Sequence, residues 1–193
     1  MLTVAIPAAM AWVVHVASGT QNELVGALGE ECTAGAVNTW RRRRKGWLIV
    51  NGLRFGGHGD IDHVLIGPGG VYAIESKWTN VQWTISSGQL KGPFGNPISQ
   101  AKRGAQKVRL AYAYTGNRVD VPATPVLVIW GPGTPEIPGG HTTIDGVLVC
   151  QGRKQRKWLR QMDGLTSLDP TSQQFIAEQL SRQLAKQLEP APT

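Results

Sequence analysis

The stretch Gly59-Asp60-Ile61-Asp62-His63-Val64-Leu65-Ile66-Gly67-Pro68-Gly69-Gly70-Val71-Tyr72-Ala73-Ile74-Glu75-Ser76-Lys77 constrains the fold more than any other. Two alternating apolar runs flank Gly-Pro-Gly-Gly, a pattern that predicts an antiparallel hairpin. With Pro68 and Gly69 at the turn, Gly67 faces Gly70, Ile66 faces Val71 and Asp62 faces Glu75. Strand side chains alternate between faces, so Glu75 and Lys77 share one side of the sheet. Directly opposed residues also share a face, with Cβ atoms about 4.5–5.5 Å apart. Asp62, Glu75 and Lys77 therefore converge, and Asp60 shares the face of Asp62 unless it serves only to cap the start of the strand. Facing carboxylates repel one another. Lys77 offsets this in part, and a hard cation with oxygen ligands would do so more fully. A surface salt-bridge patch is the other reading of the same residues. The fragile step is Pro-Gly, whose favoured turn types fit a two-residue hairpin poorly; a longer loop would slip the 62–75 pairing by one place.

A chain of 193 residues supports one sizeable core, and 41% hydrophobic content with seven Trp argues for a packed domain rather than disorder. A net charge of +7 predicts attraction to polyanions, with nucleic acid and anionic membrane as the two candidates. Cys32 and Cys150 stand alone, so there is no disulfide framework and no Cys-x-x-Cys knuckle, and a reducing, cytoplasmic setting is the default. Leu2 to Ala17 is almost wholly apolar but shorter than the roughly 20 residues that cross a bilayer, and no basic residue precedes it as in a secretory signal. It reads as an apolar N-terminal helix packed on the domain or a partner. Membrane contact through residues 2–17 is the alternative, with Arg41–Lys45 on the cytoplasmic side.

In chain order, Asn22 to about Trp40 reads as a helix with Leu24, Leu28, Cys32, Ala36 and Trp40 on its buried stripe. Gly26 and Gly29 within it call for a packing or close-approach explanation, since each costs about 1 kcal/mol relative to Ala. Gly46–Phe55 predicts a first strand, the hairpin the next two, and Asn80–Gly92 a short hairpin. Asn96 caps a helix with Pro97 at its first position. Ile98, Ala101, Ala105, Val108 and Tyr112 form the apolar stripe of that helix, and Gln100, Arg103 and Lys107 lie on another face. Pro125–Trp130 reads as a doubly buried strand, Ile144–Cys150 as one more strand, Gly152–Met162 as a basic helix and Asp169 as the start of a last helix. The segments 41–45, 102–109 and 153–160 hold 14 of the 20 Lys and Arg residues, which favours a binding surface. Residues 1–20 thus form an apolar lead-in, 21–189 a single domain and 190–193 a frayed tail.

Gly-x-x-Gly-Glu at 26–30, Asp60-Ile61-Asp62-His63-Val64, Gly-Pro-Gly-Gly-Val-Tyr-Ala-Ile-Glu-Ser-Lys and Asn96-Pro97-Ile98-Ser99-Gln100 together resemble the nuclease-related domain (NERD) family. That family is similar to the PD-(D/E)xK superfamily of Mg²⁺-dependent nucleases. The resemblance covers roughly Gly26 to Trp130. It implies a mixed α/β, restriction-endonuclease-like core, with a central mixed β-sheet flanked by helices. Carried over by position, Asp62 and Glu75 would bind the metal, joined by the carbonyl of Ser76. Lys77 would position or activate the attacking water, Glu30 would be a further acid bordering the site, and Gln100 a polar residue facing it. The implied activity is hydrolysis of phosphodiesters with Mg²⁺, Mn²⁺ being the substitute, on DNA, with RNA left open. Arg41, Arg42, Arg43, Arg44, Lys45, Arg103 and Lys107 would hold backbone phosphates. The alternative is a non-catalytic binding or membrane-associated scaffold module on the same fold. A dimer would suit cutting of both strands, though the sequence carries no interface signal.

Overall fold

Strand alternation and one helical crossover build one mixed sheet here, which the computed structural model describes over residues 25–55, 60–92, 95–113, 121–164 and 168–188. The apolar segment 2–17, residues 22–24 of the expected first helix and the 190–193 tail lie outside the described residues. Helix α1 occupies residues 25–41. It leads into a meander of β1 (Leu48–Arg54), β2 (Asp60–Gly67) and β3 (Gly70–Trp78). A short hairpin, β4 (Thr84–Ser86) and β5 (Gln89–Lys91), stands apart from the main sheet. Helix α2 (Pro97–Ala113) then crosses over to β6 (Ala123–Trp130), which runs parallel to β3. The hairpin of β7 (His141–Ile144) and β8 (Val147–Gln151) completes the sheet in the order β1-β2-β3-β6-β8-β7. Helices α3 (Gln155–Asp163) and α4 (Pro170–Leu188) follow.

Each sheet face carries its own core. Ala36 and Val37 of α1 and Trp158, Leu159 and Met162 of α3 cover Leu65, Tyr72, Ile74, Val126 and Val128. On the other face α2 and α4 cover Val64, Ile66, Val71 and Ala73. The stripe expected on α2 is the buried one: Ile98, Ala101, Ala105, Val108 and Tyr112 all face inward. Asn96 caps this helix as the sequence predicts, its Oδ1 accepting the Ser99 amide at 3.0 Å. Asp169 does the same for α4, accepting the Ser172 amide at 2.9 Å. The segment 144–150 corrects an expectation. It is the turn and second strand of a hairpin rather than one strand, because Asp145 (φ 48°) and Gly146 (φ 75°) both adopt the left-handed conformation of a tight two-residue turn. In the hairpin expected over Asn80–Gly92, Trp83 is buried, Val81 is exposed and the first strand begins only at Thr84.

Among the described residues no helix is long and apolar enough to cross a membrane.

Candidate active site

The turn between β2 and β3 spans two residues, with Gly67 opposite Gly70 and Ile66 opposite Val71. The register that brings Asp62 level with Glu75 therefore holds. The backbone ladder, however, ends at His63–Ile74. By alternation the next backbone exchange would join the Ser76 amide to the carbonyl of Ile61. Instead Asp62 Oδ2 accepts the Ser76 N–H at 2.6 Å. A carboxylate has replaced a strand partner, and β2 parts from β3 at that point.

A kink prepares this replacement. Val50 and Leu53 pack into one core, as do Ile61 and Val64, although strict alternation would put residues three apart on opposite faces. The β1–β2 ladder records no pair at Gly52–Asp62, where Gly52 has a φ of +66° that other residues rarely adopt. Both strands thus twist through one step. Asp60 pairs with Arg54 across β1–β2 at 3.2 Å.

Beyond the divergence lies an open cleft of about 410 Å³. Glu30 from α1, Asp60 and Asp62 from β2, Glu75, Ser76 and Lys77 from β3 and Gln100 from α2 all line it, so Asp60 and Asp62 do share this side. Val25, Gly26 and Trp78 add an apolar wall, which spacing alone did not assign to the site. Glu75 is buried and pairs with Lys77, Oε1 to Nζ, at 2.7 Å. Burial, then the charge of Glu75, pushes the Asp62 carboxyl up to about 8 against the pull of the Ser76 amide. Burial also holds Glu75 above the usual carboxylate range, opposed by Lys77 and more weakly by Arg103. The local cations therefore do not balance the two acids. That deficit is what a divalent cation would fill, and Mg²⁺ characteristically uses one or two carboxylates together with waters and substrate phosphates. The donor set is small: no group of three or more His, Cys, Asp or Glu side chains poised for a metal occurs among the described residues.

Helix α1 is fastened to this edge by residues with no obvious chemical signature. Gly29 lies so close to β3 that a Cβ there would meet the Trp78 amide nitrogen at 3.1 Å and the Lys77 carbonyl carbon at 3.3 Å. This is the close approach the glycine pattern called for. Gly26 has no such neighbour and opens onto the cleft. One turn after Gly29, Thr33 Oγ1 donates to the Gly29 carbonyl at 3.0 Å and accepts from Ser76 Oγ and Trp130 Nε1, each at 2.8 Å. His63 is buried, with Nε2 3.1 Å from the Glu30 carbonyl and Nδ1 2.9 Å from Asn51 Oδ1 as assigned. Burial lowers its pKa to about 4, so the ring is neutral. A neutral ring that donates to the carbonyl must accept at Nδ1, which turns the Asn51 amide to present its NH₂. His63 is thus a strut between β2 and α1, not a member of the acidic cluster.

The basic segments separate in space. Arg103 and Lys107 follow Gln100 on α2, and Arg103 is close enough to act on Glu75. Arg41 to Lys45 lie at the far end of α1, about 16 Å along the helix from Glu30 at 1.5 Å per residue.

A helix, a three-strand meander, a crossover helix and a parallel strand, with an Asp on β2 and Glu-Ser-Lys on β3 at the point of divergence, form a nuclease-like core of the PD-(D/E)xK kind. The chain belongs to the nuclease-related domain (NERD) family, whose family model matches residues 25–130, more than half of its length. Neither a curated protein nor a solved structure matches it.

Proposed function

We propose that this domain is a Mg²⁺-dependent nuclease that hydrolyses phosphodiester bonds of DNA at the Asp62–Glu75–Lys77 cleft. One observation carries the reading. Two carboxylates at the parting of β2 and β3 are held above their usual pKa by burial and by neighbouring acids, with one lysine paired to Glu75 beside them. Such an arrangement costs stability in the free protein and is repaid by a bound cation. Asp62, Glu75 and the Ser76 carbonyl would hold the metal, with Mn²⁺ able to take its place. When bound, a divalent cation lowers the pKa of a coordinated water and offsets charge on the phosphate. Lys77, held beside Glu75 at the cleft, would orient the attacking water and stabilise the phosphate oxygens. Glu30 and Gln100, on opposite walls, would order the water and the scissile phosphate. Arg103 and Lys107 would grip the flanking backbone, an interaction that carries affinity without sequence information.

The small donor set and the direct Lys77–Glu75 ion pair favour one other reading, a nuclease-like fold that binds nucleic acid without cutting it. Incubation of plasmid and branched DNA with wild type, Glu75→Gln and Lys77→Ala, in Mg²⁺ and in EDTA, decides between them. Cleavage that needs Mg²⁺ and is lost in both variants supports the nuclease. Binding without cleavage in Mg²⁺ and in Mn²⁺ supports the scaffold, and equal cleavage by the variants removes the site assignment.

A further inference from the structure

We propose that the end of α1 and the outer face of α3 form one docking surface for the phosphate backbone of a nucleic-acid duplex, separate from the cleft. The inference rests on the nucleic-acid reading of the domain. It adds the basic segment of α3, which sequence separation keeps far from residues 41–45.

Helix α3 follows β8, which runs parallel to β6 and β3, so the helix returns from the cleft end of the sheet toward the β2–β3 turn. Helix α1 runs the same way and covers the same face. Their ends meet at Asp163, which pairs with Arg44 at 3.2 Å and accepts the Trp47 indole N–H at 3.3 Å. The Tyr72 hydroxyl, 2.7 Å from the Met162 carbonyl, holds the end of α3 against β3. Two basic segments more than 100 residues apart are thus pinned side by side through one acid.

That acid is already used, and so is Glu136, which pairs with Lys154 at 3.3 Å. Arg42, Arg43, Lys45, Arg156, Lys157 and Arg160 are exposed and form no ion pair among the described residues. Arg153, Arg156 and Arg160 recur at helical spacing, while Trp158, Leu159 and Met162 point into the core. Such unpaired like charges repel one another and await an external anion. A bilayer surface site would be expected to offer apolar side chains for insertion. Here the exposed large hydrophobic residues among those described are Leu28, Val81 and Leu110, none of them on this surface. An Arg-rich, non-inserting face fits a phosphate backbone. The separation of about 16 Å along α1 is the rise of about five base pairs, so a duplex must exceed that length to reach both sites.

The test is fluorescence anisotropy of labelled duplexes in EDTA, which measures binding without cleavage. A hairpin-closed stem of about four base pairs and a duplex of about 20 are compared across a salt series for wild type, Arg42→Gln/Arg43→Gln and Arg156→Gln/Arg160→Gln, with Arg182→Gln as a remote charge control. Each double variant should bind the long duplex about tenfold more weakly at low salt and lower the log K versus log salt slope by about two, one for each phosphate no longer neutralised. Binding of the short stem should change little. Wild-type affinity and slope for the long duplex in either double variant, or equal loss in Arg182→Gln, would overturn the proposal. So would a loss of binding to phosphatidylglycerol vesicles with DNA binding unchanged. Loss of long-duplex binding in a protein that cleaves nothing would leave this surface standing and remove only the nuclease reading.

Discussion

Asp62→Asn should stabilise the metal-free protein, and by an amount that depends on pH. Burial and Glu75 raise the Asp62 carboxyl from 3.8 to about 8. A folded-state pKa above the unfolded one means that the associated stability is present in full below about 4 and is lost as pH rises through about 8. If Asp62 bore the whole shift alone, its cost at pH 7 would be about 4 kcal/mol at 1.36 kcal/mol per unit. Asp62 shares the repulsion with Glu75, so neutralising one partner relieves part of it, and a gain of about 1–3 kcal/mol is expected. Asparagine keeps an oxygen that can accept the Ser76 amide, so the kinked strand pair survives the change. Urea unfolding in EDTA from pH 4 to pH 8.5 reads the effect. The variant should match wild type near pH 4 and pull ahead steadily toward pH 8. A variant less stable than wild type at pH 7.5, or an offset that ignores pH, would refute the reasoning.

Other perturbations probe the rest of the frame. His63, with its pKa lowered to about 4, contributes stability present above about 6.5 and lost as pH falls toward 4, so His63→Gln should flatten the acid limb of the wild-type curve. Thr33→Val strands the Trp130 N–H and the Ser76 hydroxyl in the core and should cost about 2–4 kcal/mol in urea unfolding. In Gly29→Ala the helix gains about 1 kcal/mol of propensity, but the new methyl meets the backbone of β3 at Lys77 and Trp78, where the strand is held by its ladder to β6. The steric clash should win, giving a net loss of about 1–2 kcal/mol and weaker metal binding as α1 lifts. Asn96→Ala removes the α2 cap and should cost about 1 kcal/mol of stability.

Much of this was legible because it is local. A Gly-Pro-Gly-Gly turn between alternating runs sets the register of β2 on β3, and Asn96-Pro97 with its 3.6-spaced stripe sets α2 and so carries Gln100 to the cleft. What stayed hidden depends on partners distant in sequence. The Gly52 kink that frees Asp62 from strict alternation exists only because β1 and β2 bend together. Thr33 is an ordinary helix residue until Ser76 and Trp130 arrive. Asp145-Gly146 carried a turn signal, yet the apolar residues on both sides read equally well as one strand, and only the two positive φ angles separate them. The three basic segments looked alike in sequence; two share the α1/α3 face through Asp163, and the third belongs to α2 on the other.

The central claim is that the buried carboxylate pair is kept for a divalent cation. Calorimetric titration of Mn²⁺ and Mg²⁺ at pH 7, in two buffers of different ionisation enthalpy, measures it directly. Wild type should bind with release of about one proton, the one the raised Asp62 carboxyl holds in the free protein, and Asp62→Asn and Glu75→Gln should lose most of the affinity. Unchanged affinity in both variants, or binding by wild type with no proton released, would contradict the account.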